Sequence, residues 1–507
     1  MPSQDKVGVI DIGSNSIRFV VFDGLKHAPL PLVNEKILCG LARDMDNTGM
    51  LYAPGVKLAL KAVSRFALLV KAMEVKDLTV FATSAVRDAK DGKKFVTDME
   101  SLTGFKVRVL SGEEEAKYAA LGVSSAFLEA HGVAADMGGG SLELAHVEST
   151  QEAWKKQSHT IVRESKSFPI GALRLKTAAN DDLVKASEVV TRTIQQFPLR
   201  ETMFGKTLYA VGGGFRAIAK VHILRKRYPL NIIHHYMVNA VEMIETLSWI
   251  MASEPESLIS KGMVSKERID TVKFSAVVLE RLIAEGRPEM VLFSVSGVRE
   301  GLIFDRLPQK QKASDPLTEC CAEMIRHISP NSSDEWIRFA DELFEWTTPL
   351  FRTETDSVKR LRKAACILSH LAWYEHTAYR AEMAFRWIMD SSIPALSHEE
   401  RAFIALAVFH RYKAESDPAI TGVVEELLDP ATLFRAKVVG LSLQIGHKVS
   451  AGARGILPRT KFEVEGKNKL YFRMDAKPPL WLGAGTIRRL ERLAQVAKLK
   501  LIMENVE

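Results

Sequence analysis

Two short stretches of this 507-residue chain place an aspartate, a glycine-bearing turn and a serine at the end of an apolar run: Asp11-Ile-Gly-Ser-Asn-Ser-Ile-Arg-Phe and Asp136-Met-Gly-Gly-Gly-Ser-Leu-Glu-Leu. Laid over one another they match aspartate, glycine and serine at a constant offset, with apolar residues matching beside them. A repeat of this kind implies duplicated lobes. Its chemistry is that of anion binding. Glycines let backbone N–H groups approach an anion closely and accept positive φ, and the serine hydroxyl adds a donor. An aspartate cannot bind phosphate itself, but it can hold a hydrated Mg²⁺ that bridges to one. A single Gly-Gly-Gly-Ser is more often a tight connection between strands. Two in register, each after an aspartate at a strand end, favour a phosphate chain clamped from both sides. No GxxxxGK[ST] and no complete GxGxxG occurs, so neither a P-loop nor a dinucleotide fold is supported.

The elements that must carry these turns are legible in outline. Val7–Asp11 and Ile17–Asp23 are β-rich runs joined by GSNS. A helical pattern follows from about Pro54 to Met73, then a strand at Leu78–Thr83, a helix near Gly92–Leu102 and a strand at Phe105–Leu110. Ser111 is suited to cap the next helix, whose first turn carries Glu113, Glu114 and Glu115, where the helix dipole favours acids. A second set begins with Gly132–Asp136 and Leu142–Val147. It continues through Thr207–His222, a strand, a triple-glycine turn and a helix, and closes with Met290–Phe304. Mixed α/β lobes fit this alternation. From Lys312 to about Lys437 the chain predicts consecutive amphipathic helices. Lys461–Asp475 alternates like a hairpin turning at Gly466-Lys467-Asn468, and a final helix is expected from about Thr486 to Met503.

Composition sets outer bounds. Hydrophobic residues are 47% and charged residues 26% of the chain, the values of a globular protein. No apolar run reaches the roughly 18–20 residues of a membrane span, and the N-terminus lacks the pattern of a secretory signal. Four scattered cysteines make no disulfide framework; a cytoplasmic setting is expected. The net charge of +7 suits a polyanionic ligand, yet zinc-finger, basic-zipper and RNP signatures are missing, so nucleic acid is not expected. Cys320 and Arg326 match a bare CxxxxxR spacing, but the residues between them are helix-forming and offer no phosphate loop. Neither an HExxH motif nor a cysteine and histidine set with zinc spacing is present.

Seven motifs together resemble the exopolyphosphatase and guanosine pentaphosphate phosphatase family, in the superfamily of actin, sugar kinases and heat-shock chaperones. They are Val9–Asp23, Phe81–Ala89, Leu110–Val123, Ala135–Leu144, Phe168–Leu175, Ala210–Val221 and Ser294–Asp305. The resemblance implies two actin-like lobes with a cleft between them (residues 1–124 and 125–308), an α-helical HD-like domain (309–440) and a small α/β C-terminal domain (441–507). It implies Glu114 as the glutamate that orients or deprotonates the attacking water; the three acids by themselves leave the choice open. It implies Asp136 and Glu143 as acids of an Mg²⁺ site, with a monovalent cation such as K⁺ as a potential companion. Gly138, Gly139, Gly140 and Ser141 would form one phosphate loop, and Asp11, Gly13, Ser14 and Asn15 the loop opposite. Arg87 and Arg268 would be phosphate contacts. Arg18, Phe215 and Arg216 depart from the commoner residues. No adjacent His-Asp pair occurs at His370 or His376, so these histidines are expected to pack or to touch a ligand rather than to hold a second metal. The activity implied is Mg²⁺-dependent release of orthophosphate from inorganic polyphosphate by a homodimer. Guanosine pentaphosphate hydrolysis, transfer to ADP and a non-catalytic alarmone sensor are the alternatives.

Overall fold

The computed structural model describes residues 6–152, 157–329, 332–466, 468–475 and 481–506, with side chains left out at 150–152, 157–159 and 506. The expected turn at Gly466-Lys467-Asn468 therefore lies partly outside the described residues, as do the first five residues of the N-terminus. The chain divides into two compact units, Met1–Pro316 and Leu317–Glu507.

The first unit contains two sheets. One comprises β1 (Val7–Ile12), β2 (Ser16–Phe22), β3 (Pro31–Leu38), β4 (Asp77–Ala82) and β5 (Val107–Val109), in the order β3-β2-β1-β4-β5. The first three strands pair antiparallel, and β1, β4 and β5 pair parallel. The other comprises β6 (Glu129–Met137), β7 (Leu142–Glu152), β8 (Gln157–Phe168), β9 (Thr207–Gly212), β10 (Tyr236–Asn239) and β11 (Met290–Phe293). Its order is β10-β11-β9-β6-β7-β8. With β6, β7, β8, β9 and β11 standing for β1 to β5, order and directions coincide, and β10 is an added antiparallel edge. The repeat seen in two turns is thus a repeat of whole sheets, the duplicated actin-like architecture.

The sequence reading does not contain β3, β8 or β10. All three are edge strands or pair on the outside of the sheet. β3 alternates between exposed and half-buried residues, so it lacks the continuous apolar signal of the central strands. Helices bury the sheets' faces. The Ala53–Ala72 helix lays Phe66 on Phe19 of β2, with ring centroids 5.1 Å apart. The Ile269–Gly286 helix packs Phe274, Val278 and Leu282 into the second lobe's core.

Two helices tie the lobes together. In the Gly112–Ala126 helix, Ala116, Ala120 and Val123 pack with β6, β7 and β9 residues of the second lobe. Tyr118 and Leu121 on the same helix join Val9, Val20 and Phe81 of the first. The Val298–Arg306 helix sends Leu302, Ile303 and Phe304 into that same first-lobe cluster. The end of the expected second lobe (125–308) therefore packs into the first. The two helices cross at backbone contact: a Cβ on Gly301 would stand 1.8 Å from Tyr118 O, and one on Gly122 2.2 Å from Gly297 O.

In the second unit, helices from Pro316–Ile328 to Pro430–Ser450 precede a three-stranded sheet of β12 (Thr460–Glu465), β13 (Lys469–Asp475) and β14 (Lys500–Val506). The expected final helix to Met503 is corrected here. It spans Ala484–Val496, the chain takes a left-handed φ of 57° at Lys498, and residues 500–506 pair parallel with β13. Leu490, Leu493 and Ala494 carry a helical spacing that runs without a break into Leu499, Leu501 and Ile502; strand pairing beside buried Leu470 and Phe472 decides otherwise. Among the described residues no helix is long and apolar enough to cross a membrane.

Candidate active site

Asp11 and Asp136 occupy the same place in their two lobes. Asp11 lies opposite Arg18 across β1 and β2, and Asp136 opposite Glu143 across β6 and β7. Each aspartate is followed by the same turn. The Gly13 N–H donates to Ser16 O at 3.1 Å, and the Gly138 N–H to Ser141 O at 3.0 Å. The turns face one another at contact distance. A Cβ on Gly140 would stand 2.9 Å from Ser14 Oγ and 2.8 Å from Ser84 Oγ, two hydroxyls hydrogen-bonded at 2.9 Å. A side chain at 140 would have to displace these two hydroxyls. Asp11, Gly13, Ser14, Asn15, Gly138, Gly139 and Ser141 all line one cleft of about 310 Å³.

Besides Glu267 and Asp270, four buried carboxylates line that cleft: Asp11, Glu115, Asp136 and Glu143. Burial raises each of these four above the ordinary carboxylate range, Asp136 to about 6 and Glu115 to about 7; acids of the group add to the rise of Glu115, Asp136 and Glu143, and Glu300 to that of Asp11. Arg299, 3.8 Å from Asp11, and Arg216 near Asp136 work against it. Ser167 Oγ donates to Glu143 at 2.7 Å. Buried carboxylate oxygens are the hard donors that Mg²⁺ takes, and a divalent cation would offset both the burial and the mutual repulsion that raise them.

Three expected site residues stand off the cleft's lining: Gly140, packed against Ser14 and Ser84, Glu114 and Arg87. Glu114 does not line the cleft. It completes a capping box, accepting from the Ser111 N–H at 2.8 Å while Ser111 Oγ accepts from its own N–H at 3.1 Å, and it pairs with Arg108 at the surface. The Ser111 N–H, then Arg108, hold its carboxyl below the ordinary range. Successive helical residues point about 100° apart, so committing the third helical position to the cap turns the fourth, Glu115, inward. Arg87 does not line the cleft either. Its Nη1 donates to Glu115 at 3.0 Å and to Leu110 O at 3.1 Å, and its Nε to Asp88 at 3.3 Å. These bonds tie it to the glutamate.

The cleft also gathers cations that the sequence reading passed over or met only as departures: Arg18, Lys36 and Arg43 from the first lobe, Arg216 and Arg299 from later turns. Arg268, an expected phosphate contact, is there too. Burial, then neighbouring cations, depress Arg18, Lys36 and Arg216, the last to about 10; burial alone lowers Arg268. The triple glycine after β9 makes room for this assembly. A Cβ at Gly212, whose φ is +95°, would meet Asp136 Oδ1 at 2.7 Å, and one at Gly213 the Arg268 guanidinium at 2.1 Å. Arg216 and Arg299 each follow a glycine turn by two or three residues, the signal that could have found them.

Residues 20–310 match the model of the Ppx/GppA phosphatase family, and residues 321–503 that of the exopolyphosphatase C-terminal region. Retrograde regulation protein 2 of Saccharomyces cerevisiae is 27% identical over 81% of this chain and 73% of its own. The guanosine-5'-triphosphate,3'-diphosphate pyrophosphatase of Pseudoalteromonas translucida is 26% identical over 81% of each. Exopolyphosphatase 1 of Mycobacterium tuberculosis is 31% identical over 28% of this chain, a match spanning 42% of that protein. An exopolyphosphatase structure from Cytophaga hutchinsonii superposes with a TM-score of 0.52 at 22% identity, over 60% of this chain and 99% of that one.

Proposed function

This chain belongs to the Ppx/GppA phosphatase family, and from that membership we propose that it is an Mg²⁺-dependent exopolyphosphatase releasing orthophosphate from inorganic polyphosphate. The observation that carries the reading is the single cleft in which acids and cations from both lobes converge on two glycine turns. Glu115 orients the attacking water and takes its proton; a carboxyl raised to about 7 suits a base working near neutrality. As the water oxygen bonds to the terminal phosphorus, the bridging P–O bond breaks and the shortened polymer leaves. Arg18, Arg216, Arg268 and Arg299 hold the polymer's phosphates, and the turn N–H group at Gly139 approaches the terminal one. Asp136 and Glu143 would hold Mg²⁺, which offsets charge on the equatorial oxygens when bound. Arg87 keeps Glu115 in place.

Orthophosphate release from long-chain polyphosphate and from guanosine pentaphosphate, measured side by side with Mg²⁺ and with or without ADP, tests the reading. Preference for the polymer is expected. Preference for the nucleotide would assign the relative from Pseudoalteromonas as the better guide to substrate. A second reading, a regulator without turnover, takes support from the yeast relative's name. The retained set of Glu115, Asp136 and Glu143 favours the enzyme, and no release from either substrate would overturn it.

A further inference from the structure

Among the described residues, the second unit contains a buried cation that no carboxylate faces. Arg411, at the end of the His398–Tyr412 helix, is 7% exposed, and its Nε and Nη2 have no hydrogen-bond partner. The groups that bear on its charge are the Tyr412 hydroxyl and Arg380, not a carboxylate. Beside it lies His370, 2% exposed, with both ring nitrogens unpartnered and its ring stacked 3.5 Å from Trp336. His447 is buried next to the pair and bonded to Ser369 at 2.9 Å. An isolated buried charge costs several kcal/mol even after relaxation, and buried N–H groups are satisfied in the great majority of cases. The tyrosine ring 4.1 Å from the Arg411 guanidinium offsets part of this cost, but it leaves two N–H directions without an acceptor.

Aromatic surface stands next to these donors. Trp373 and Tyr374 are 39% and 70% exposed, and Trp373 lies 5.6 Å from the Arg411 guanidinium and 6.1 Å from His370. An unpaired guanidinium beside a neutral imidazole, flanked by open planar rings, matches a ligand that carries phosphate at one end and a flat base at the other. We propose that this cluster is an accessory site for a nucleoside phosphate, its phosphate on Arg411 and His370 and its base against Trp373 and Tyr374. The site is built entirely within the second unit and does not depend on the reaction assigned to the cleft.

Equilibrium dialysis of the full chain with a methylene-bridged, non-hydrolysable GTP analogue tests this, beside parallel runs with inorganic tripolyphosphate. Arg411→Met should bind one equivalent of the analogue fewer than the wild type, whatever the cleft binds. Without ligand it should melt no lower than the wild type, because the isostere removes an unpaired charge. Trp373→Leu, a change at a partly exposed ring, should keep the melting temperature and weaken the analogue at this site about tenfold. It should leave tripolyphosphate binding unchanged. Equal stoichiometry in wild type and Arg411→Met overturns the proposal. So does a lower melting temperature in Arg411→Met with binding intact, which would make Arg411 structural. Tripolyphosphate binding this site as tightly as the analogue would overturn the role given to the aromatic rings.

Discussion

Three adjacent glutamates with nearly identical local chemistry acquire three different environments, and one peptide unit separates a capping acid from a cleft acid. Glu114 satisfies the helix start, and Glu115, 7% exposed, faces Arg87 and the other carboxylates. Glu115→Gln should therefore lower kcat by roughly 10²- to 10⁴-fold, the usual contribution of a positioned base, with the melting temperature retained. Glu114→Gln should leave turnover within a few-fold and lower stability by no more than about 1 kcal/mol, since glutamine can keep the capping bond and only the surface pair with Arg108 is lost. Steady-state kinetics and thermal melting on the two variants separate the roles, and the reverse pattern would return the water-orienting role to Glu114. The run of acids and its N-cap were legible in the sequence. Which acid faces the cleft was not, because that depends on how the helix is rotated against the second lobe's sheet.

Elements meet at this site through glycines, and the two kinds of glycine contact differ in what they tolerate. At Gly301 the opposing atom is a backbone carbonyl, Tyr118 O at 1.8 Å, so neither helix can yield without moving the other. Gly301→Ala should destabilise the first unit by about 1–3 kcal/mol, the range for overpacking, read as a drop in the denaturation midpoint. At Gly213 the opposing atoms are the end of the Arg268 side chain. Gly213→Ala should leave the midpoint nearly unchanged and raise KM several-fold by displacing that guanidinium. A large loss of stability in Gly213→Ala would show that Arg268 is held rigidly by its surroundings. The triple glycine was visible as a motif, yet its reason is a neighbouring helix more than fifty residues later in the chain.

At the scale of the whole molecule, the second unit buries several histidines in neutral form. Burial pushes His370 and His410 down to about 4 and His447 well below its ordinary value. The unfolded chain protonates these groups near pH 6.5 while the folded chain does not, so their stability contribution is full above that pH and is lost as pH falls toward 4. For His410 the loss is on the order of 3 kcal/mol. Hydrogen exchange in the His398–Tyr412 and Pro430–Ser450 helices, corrected for intrinsic rates, should show weaker protection at pH 5 than at pH 7. Equal protection would mean that these histidines are already neutralised by groups they touch. Net charge acts on the same scale. With +7 overall and cations gathered in the cleft, KM for long polyphosphate should rise several-fold between low and physiological salt as screening weakens attraction.

By itself the sequence determined the duplicated turns, the lobes they open and the family they belong to, since glycine, serine and aspartate at short spacing dictate local backbone geometry wherever they fold. Tertiary structure alone decided the rest. The edge strands β3, β8 and β10 and the terminal strand β14 form because neighbours pair with them, not because their own patterns demand it. Lys36, Arg216, Arg268 and Arg299 become one site because two sheets and two crossing helices bring them to the cleft that the buried carboxylates line. Charge and burial are properties of that assembly, and no single segment of the chain encodes them.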